Sequence, residues 1–208
     1  MIDGVGPKTL PRTPSLLTSG PLRRTTVGVV LLVTIFAFEN MAVTTAMPSA
    51  VGSLHALAYF GWPFTANLLA ILVGTVVAGR LADRHGPAPA VFIGMALFVA
   101  GLLIAGSATT ILQLVLGRAV QGLGAGLVSV ALYVIVAAAY PEALRPKAFA
   151  AMSAAWVVPS TGQGTLAATA TAGLTTLPVA LGVLFGLMGV LAGVGAVLAP
   201  RVRVGELS

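Results

Sequence analysis

Two long apolar runs of the sequence are separated by one charged octapeptide, Gly79-Arg80-Leu81-Ala82-Asp83-Arg84-His85-Gly86. No other stretch between Val27 and Tyr140 places three formally charged side chains so close together. An ionised side chain at the centre of a bilayer costs about 2.5 to 3.5 kcal/mol on insertion scales, so the octapeptide is expected at a membrane face. The sequence therefore predicts a loop there, joining two membrane spans.

The composition of the whole chain is typical of an integral membrane protein. Hydrophobic residues make up 58% of the 208 residues and charged residues only 8%, whereas soluble domains use about 25% charged residues. The net charge of +6 does not by itself indicate a nucleic-acid partner, because that inference requires a basic patch on a folded surface. We therefore expect the lipid bilayer as a partner, and no nucleic acid.

The hydrophobic pattern predicts about six transmembrane helices, over residues 27–48, 59–79, 88–107, 110–139, 148–170 and 176–199. Ten of the eleven Lys and Arg residues fall at the chain ends or in alternate loops, and the intervening loops contain none. Since basic residues mark the cytoplasmic side, both termini are expected in the cytoplasm. The predicted fold class is an all-α integral membrane bundle of about six helices.

The predicted organisation has three parts: a disordered basic cytoplasmic tail over residues 1–26, a transmembrane helical bundle over 27–199 and a second cytoplasmic tail over 200–208. The first tail holds four of the 13 prolines and four basic residues, a composition that favours disorder. The expected location is a cell membrane crossed several times, and the absence of cysteine is compatible with the plasma membrane of a bacterium.

Two ionisable side chains interrupt the predicted spans, Glu39 in the first and Arg118 in the fourth. Helical rise places each of them about 13 Å below the outer surface, near the midplane of a core about 30 Å thick. Opposite charges at equal depth are expected to pair, although desolvation makes a buried pair a poor source of stability. Ionisable groups inside a membrane indicate a functional site. The alternative is a structural pair that contacts no substrate.

Other residues near these charges complete the predicted site. Gln121, Gly122 and Gly126 lie on the same helical stripe as Arg118, where the two glycines favour close helix packing. Trp156 in the fifth span is a candidate to stack on an aromatic ligand, and the simpler interpretation is a packed core tryptophan.

Three stretches of the sequence resemble the N-terminal half of a major facilitator superfamily transporter of the drug:proton antiporter type. The octapeptide of residues 79–86 resembles the signature loop between helices 2 and 3 of that superfamily. Residues 114–124, with the sequence LVLGRAVQGLG, resemble the antiporter motif of helix 4. Glu39-Asn40, with Met47-Pro48 closing the helix, resembles the acidic motif of helix 1. The resemblance covers residues 27–158.

At the inner membrane face, the resemblance implies a gate. Asp83 and Arg84 would hold helix 2 against the opposing half of a transporter when the protein faces outward. Gly79 and Gly86 would permit a tight turn and a close approach of helices, in agreement with the steric freedom of glycine.

Within the membrane, the resemblance implies that Arg118 takes part in proton coupling and that Glu39 is the acid near the proton and substrate path. Asn40 and Gln121 would be neighbouring residues of the cavity. Desolvation favours the neutral form of a carboxylic acid and a nearby cation favours the charged form, so moving the cation changes proton affinity. The implied function is proton-coupled export of small amphipathic or cationic compounds by alternating access.

The sequence departs from the family pattern in three places. Residues 87–89 are Pro-Ala-Pro where basic residues are usual, and residues 159–164 replace the Gly-Pro and Gly-Gly motif of helix 5. Such transporters also have at least twice as many spans as fit here. The alternative function is therefore a truncated, non-transporting membrane fragment, in which the part from Thr161 onward reflects an internal deletion. Otherwise a homodimer or a separate second half would complete the cavity.

Other classes of function have little support in the sequence. It has no metal-ligand cluster, no Ser-His-Asp arrangement at a plausible depth and only two histidines. It also lacks the phosphate-binding loop of a nucleotide-driven pump. We therefore expect no enzyme activity, no catalytic residue, no metal site and no cofactor.

Overall fold

The computed structural model describes residues 20–160, which form five α-helices and two short 3-10 helices. The α-helices are α1 (Gly20–Ser53), α2 (Trp62–His85), α3 (Pro87–Gly106), α4 (Ile111–Ala139) and α5 (Arg145–Ser160). The 3-10 helices, Leu57–Tyr59 and Glu142–Leu144, follow α1 and α4. Four segments are long and apolar enough to cross a membrane: Thr25–Ser53, Leu57–His85, Pro87–Gly106 and Ile111–Ala139.

The first four predicted spans coincide with these segments, but both ends of the first and the far end of the second differ. α1 begins at Gly20, so residues 20–26 are helical and not part of a disordered tail. The helix is extended here by a tertiary contact, because Thr26 is buried and shares a hydrogen bond with Tyr140. α1 also continues through Pro48 to Ser53, so the expected closure at Pro48 is wrong.

Part of the predicted organisation lies outside the described residues. This applies to the rest of the first tail, the predicted span over 176–199 and the tail over 200–208. The predicted span over 148–170 is described only to residue 160, within α5.

The charged octapeptide is a loop only at its last residue. α2 continues to His85, and the three charged side chains of the octapeptide are exposed on its final turns. The chain then leaves the helix at Gly86, whose φ of 78° lies in the left-handed region that favours glycine. α3 starts immediately at Pro87, a residue suited to the first turn of a helix. The predicted loop is thus mostly the end of a helix, because exposed charges do not prevent helical hydrogen bonding.

α4 is the central helix, and it packs closely against α2 and α3. The three helices touch through glycines at which an added Cβ would overlap the neighbouring helix: Gly74, Gly94, Gly101, Gly117, Gly122, Gly124 and Gly126. α2 runs parallel to α4, with Gly74 against Gly126, and α3 runs antiparallel to it, with Gly101 against Gln121. Small residues have this role in membrane bundles because van der Waals packing replaces the hydrophobic effect between helices in lipid.

α1 lies farther from α4 than α2 and α3 do, and α5 packs against α1. One apolar cluster joins α1, α3, α4 and α5 around Leu32 and Val136. A second cluster joins α1, α3 and α4 around Met47 and Leu102, near the connection that follows α1. Between these two clusters lie the buried polar residues Glu39 on α1 and Arg118 and Gln121 on α4.

Candidate functional site

A buried ion pair joins α1 to α4 between the two apolar clusters. Arg118 Nη1 donates a hydrogen bond to Glu39 Oε1 at 2.6 Å, and the two residues are only 3% and 4% exposed. The expected contact between these opposite charges is therefore present. Both residues belong to segments able to cross a membrane, so water does not readily replace either partner.

The pair forms although the two helices do not end at the same level. Because α1 continues to Ser53, Glu39 lies about 21 Å from that end, whereas Arg118 lies about 10 Å from the start of α4 at Ile111. The equal depths predicted from the sequence rested on an incorrect helix end at Pro48. The contact itself arises because α1 projects beyond the start of α4.

Gln121 is the third member of the site. Arg118 Nη1 also donates a short hydrogen bond to Gln121 Oε1, and Gln121 is only 1% exposed. The two residues face the same way because positions three apart lie on one side of a helix. Among the described residues, Arg118 Nε and Gln121 Nε2 are buried donors without a hydrogen-bond partner. The site therefore retains donor capacity for an acceptor.

Asn67 of α2 also contacts the site, although it was not among the predicted residues. Its Nδ2 donates a 3.0 Å hydrogen bond to the backbone carbonyl oxygen of Arg118, and the residue is buried. It is the only Asn or Gln within the span Leu57–His85. A single amide side chain in an apolar helix could have indicated a contact with another helix, since buried polar groups need hydrogen-bond partners.

The glycines predicted to pack α4 both lie against α2. A Cβ at Gly122 would overlap the carbonyl oxygen of Asn67, and a Cβ at Gly126 would overlap that of Ile71. Gly122 therefore allows the backbone of α2 to reach the turn of α4 that carries Arg118.

Two predicted cavity residues lie outside the polar cluster that Glu39, Arg118 and Gln121 form. Asn40 is exposed on α1, and its backbone carbonyl accepts a hydrogen bond from Thr44 Oγ1 at 2.8 Å. Trp156 of α5 is 47% exposed. Within residues 20–160, no hydrogen bond or ring contact links either side chain to Glu39 or Arg118.

The predicted gate residues lie at the end of α2. Asp83 and Arg84 are exposed, and neither forms an ion pair with another described residue. A Cβ at Gly79 would meet no atom within 4 Å, so the close helix approach expected there is not made by the described helices. Gly86 does provide the predicted turn, through its positive φ. The described part of the chain has no group of three or more His, Asp or Glu side chains able to hold a metal ion.

Comparisons with known proteins agree with the motifs of the sequence. The profile of the Major Facilitator Superfamily matches residues 29–206. Multidrug resistance protein 3 of Bacillus subtilis (strain 168) is 30% identical over 120 residues, which are 58% of this chain and 23% of that protein. Efflux pump dotC of the fungus Dothistroma septosporum is 32% identical over 100 residues, 48% of this chain and 17% of that protein. The chain thus matches less than a quarter of the length of these relatives.

A solved structure has the same fold. A D-xylose-proton symporter superposes with a TM-score of 0.76 at 15% sequence identity, covering 88% of this chain and 49% of the symporter chain. At that identity, the likeness shows the architecture alone.

Proposed function

Because this chain belongs to the Major Facilitator Superfamily, we propose that it exports small amphipathic or cationic compounds in exchange for protons, by alternating access. The family and the relatives are transporters and not enzymes. The names of two relatives, a multidrug resistance protein and an efflux pump, support export as the direction of transport. The observation that carries the proposal is the buried pair of Glu39 and Arg118 between two membrane-spanning helices.

The pair supplies a means of coupling helix movement to proton binding. In the observed arrangement, the guanidinium of Arg118 neutralises the Glu39 carboxylate. When the two helices separate, the carboxylate loses this cation, and desolvation then favours its neutral form. Glu39 would take up a proton in one conformation and release it when Arg118 returns. A cationic substrate would compete with the proton for the same carboxylate while the pair is open.

The residues outside the cluster have separate proposed roles. Asn40 and Trp156 are exposed on α1 and α5, two helices that pack together, and they would contact the substrate and not the ion pair. Asp83 and Arg84 at the exposed end of α2 would close an inner gate against a second half. A second copy of the chain would be one source of that half.

The membrane orientation is part of the proposal. The placement of basic residues in alternate loops supports cytoplasmic termini, and a plasma membrane is the proposed location. The relatives include both bacterial and fungal proteins, so they do not favour a bacterial membrane over a fungal one.

Dye transport by the purified chain in proteoliposomes tests the proposal. An imposed pH gradient drives export, ethidium fluorescence reports it, and Glu39→Gln and Arg118→Ala are measured beside the wild type. Glu142→Gln is the matched control, because it removes the same charge from an exposed residue outside the cluster. We expect transport by the wild type and by the control, and none by the two cluster variants.

Two results would contradict parts of the proposal. Full transport by Glu39→Gln or Arg118→Ala would remove the assigned coupling roles. A folded and inserted wild-type chain that moves no dye, even at densities that favour dimers, would support the alternative of a non-transporting membrane segment.

A further inference from the structure

We propose that Asn67 is a positioning residue, which sets the geometry of the Glu39–Arg118 pair by holding the backbone of α4 against α2. The inference rests on the proposed function only where it concerns proton coupling. The positioning itself is a statement about two helices and one ion pair, and it can be tested without transport.

The first contact is the hydrogen bond from Asn67 Nδ2 to the carbonyl oxygen of Arg118, at 3.0 Å. In an α-helix this oxygen also accepts from the N–H four residues later, that of Gly122. A carbonyl oxygen has two lone pairs and can accept both bonds. Asn67 thus binds the backbone from which the Arg118 side chain extends, and leaves the guanidinium free to reach α1.

The second contact lies one turn further along α4. Gly122 lies so close to α2 that a Cβ there would overlap the carbonyl oxygen of Asn67 and would approach Ala70 Cβ to 3.0 Å. Residue 67 therefore meets α4 twice, with its side chain at Arg118 and with its backbone at Gly122. Two contacts one turn apart restrict both rotation and sliding of α4 at the turn that carries Arg118 and Gln121.

The surroundings of Asn67 argue against a general packing role. It is 7% exposed, whereas its neighbours Leu68 and Leu69 are 66% and 60% exposed, so the amide faces α4 from an otherwise apolar helix. An aliphatic side chain would fill this position without a polar group to satisfy. The alternative is that Asn67 only holds two helices together, since hydrogen bonds between membrane helices contribute modestly to stability.

The charges near the pair are few within the described residues. The pair itself consists of Glu39 on α1 and Arg118 on α4. α3 contains no titratable residue, and those of α2 lie at its far end, within residues 80–85. A change at Asn67 therefore acts on proton binding through the position of Arg118 and not through another charge.

A double-mutant cycle on thermal unfolding separates positioning from simple helix association. Asn67→Leu, Glu39→Gln and the double variant are compared in detergent. Thr26→Val is the matched control, since it also removes a buried tertiary hydrogen bond, that of Thr26 in α1 with Tyr140 after α4. Thr26 lies about 20 Å along α1 from Glu39, so its effect should add to that of Glu39→Gln.

Each single variant should lower the melting temperature. We expect the decrease in the Asn67→Leu and Glu39→Gln double variant to be smaller than the sum of the two single decreases by at least about 2 °C. The reason is that a displaced Arg118 interacts less strongly with Glu39, so that removing the Glu39 charge then costs less stability than in the wild type. Asn67→Ala, which removes the amide without adding bulk, goes through the same cycle in case the leucine does not fit.

The pH profile of dye transport is the second readout. With Arg118 displaced, the midpoint of the profile should shift by at least about 0.5 pH unit in Asn67→Leu, and it should not move in Thr26→Val. Additive melting shifts at Asn67 overturn the positioning role, whether or not the chain transports. Coupled melting shifts in a chain that moves no dye would support the positioning role and contradict the proposed function instead.

Discussion

The backbone of Gln121 in α4 lies directly against Gly101 of α3, and a Cβ on residue 101 would overlap the amide nitrogen of Gln121. The side chain of the same glutamine accepts a hydrogen bond from Arg118. α3 carries no charged residue, yet its backbone packs against the α4 residue that binds Arg118. The position of the cluster thus depends on α3 as well as on the helices that supply its side chains.

Replacing this glycine should loosen the bundle. We expect Gly101→Ala to lower the free energy of unfolding by about 1 to 3 kcal/mol, because the extra methyl group must displace the backbone of α4. Gly79→Ala is the control, since a Cβ there meets no described atom within 4 Å, and its stability should be unchanged or up to about 1 kcal/mol higher. Thermal unfolding of the purified variants in detergent measures both. Equal stability of the two variants would contradict the packing assigned to Gly101.

The ion pair should be more important for transport than for stability. Removing one charge by Glu39→Leu or Arg118→Met should cost about 3 to 5 kcal/mol, because the other charge is left buried and unpaired. The double variant should regain the stability of the wild type or exceed it, since apolar residues of similar volume often replace buried ion pairs without loss. Dye transport should be absent from all three variants. A double variant clearly less stable than the wild type would show that the pair itself stabilises the fold.

Tyr140 should make stability depend on pH in the alkaline range. Burial raises the pKa of its hydroxyl above the ordinary value of 10.0, and the hydrogen bond with Thr26 opposes this in part. Because the neutral form is favoured in the folded chain, the contribution to stability is complete below the unfolded pKa. It is lost as the pH rises through the higher folded pKa.

Tyr140→Phe tests this dependence. Loss of the hydrogen bond should cost about 0.5 to 1.5 kcal/mol at pH 7. The hydroxyl of Thr26 keeps its bond to the carbonyl of Leu22. The stability difference between wild type and variant should shrink above about pH 10, as followed by thermal unfolding from pH 7 to 11.5. Tyr133→Phe, at an exposed tyrosine, is the control. A difference that stays constant with pH would contradict the effect of burial.

Hydropathy predicted the existence of four spans better than it predicted their ends. Apolar length determines which segments enter a membrane, but a helix ends where its backbone loses partners. At the start of α1, the contact of Thr26 with Tyr140 joins residues 114 positions apart, which local sequence does not indicate. In the charged octapeptide, charge predicted exposure correctly, while the helix ends only at Gly86, which has a positive φ and precedes Pro87.

The candidate site was predictable in proportion to how unusual its residues are. Glu39 and Arg118 stood out because charges are rare in apolar spans, and Gln121 followed from the helical repeat. Asn67 did not follow from any spacing, because it binds a backbone carbonyl on another helix. The exposure of Asn40 was equally unpredictable, since its neighbour Glu39 is buried and only the packing of α1 decides which of the two faces inward.

A weakened turn of α1, residues 44–48, lies beyond Glu39 and ends at Pro48, which is inside the helix. Proline has no N–H, so the carbonyl four residues earlier, that of Thr44, loses its intrahelical donor. The hydroxyls of Thr44 and Thr45 donate to the carbonyls of residues 40 and 41, an interaction that often bends helices. This turn is therefore the part of α1 best able to change shape near the ion pair.

Pro48→Ala should strengthen that turn and slow the proposed transport. We expect the free energy of unfolding to rise by about 1 to 3 kcal/mol, because the backbone bond is restored and the ring no longer crowds the preceding turn. Dye transport should become slower, since a stiffer α1 separates Glu39 from Arg118 less readily. Pro87→Ala is the matched control: Pro87 occupies the first turn of α3, where an N–H has no intrahelical partner, so neither quantity should change. A more stable Pro48→Ala chain with undiminished transport would show that movement of α1 takes place elsewhere in the helix.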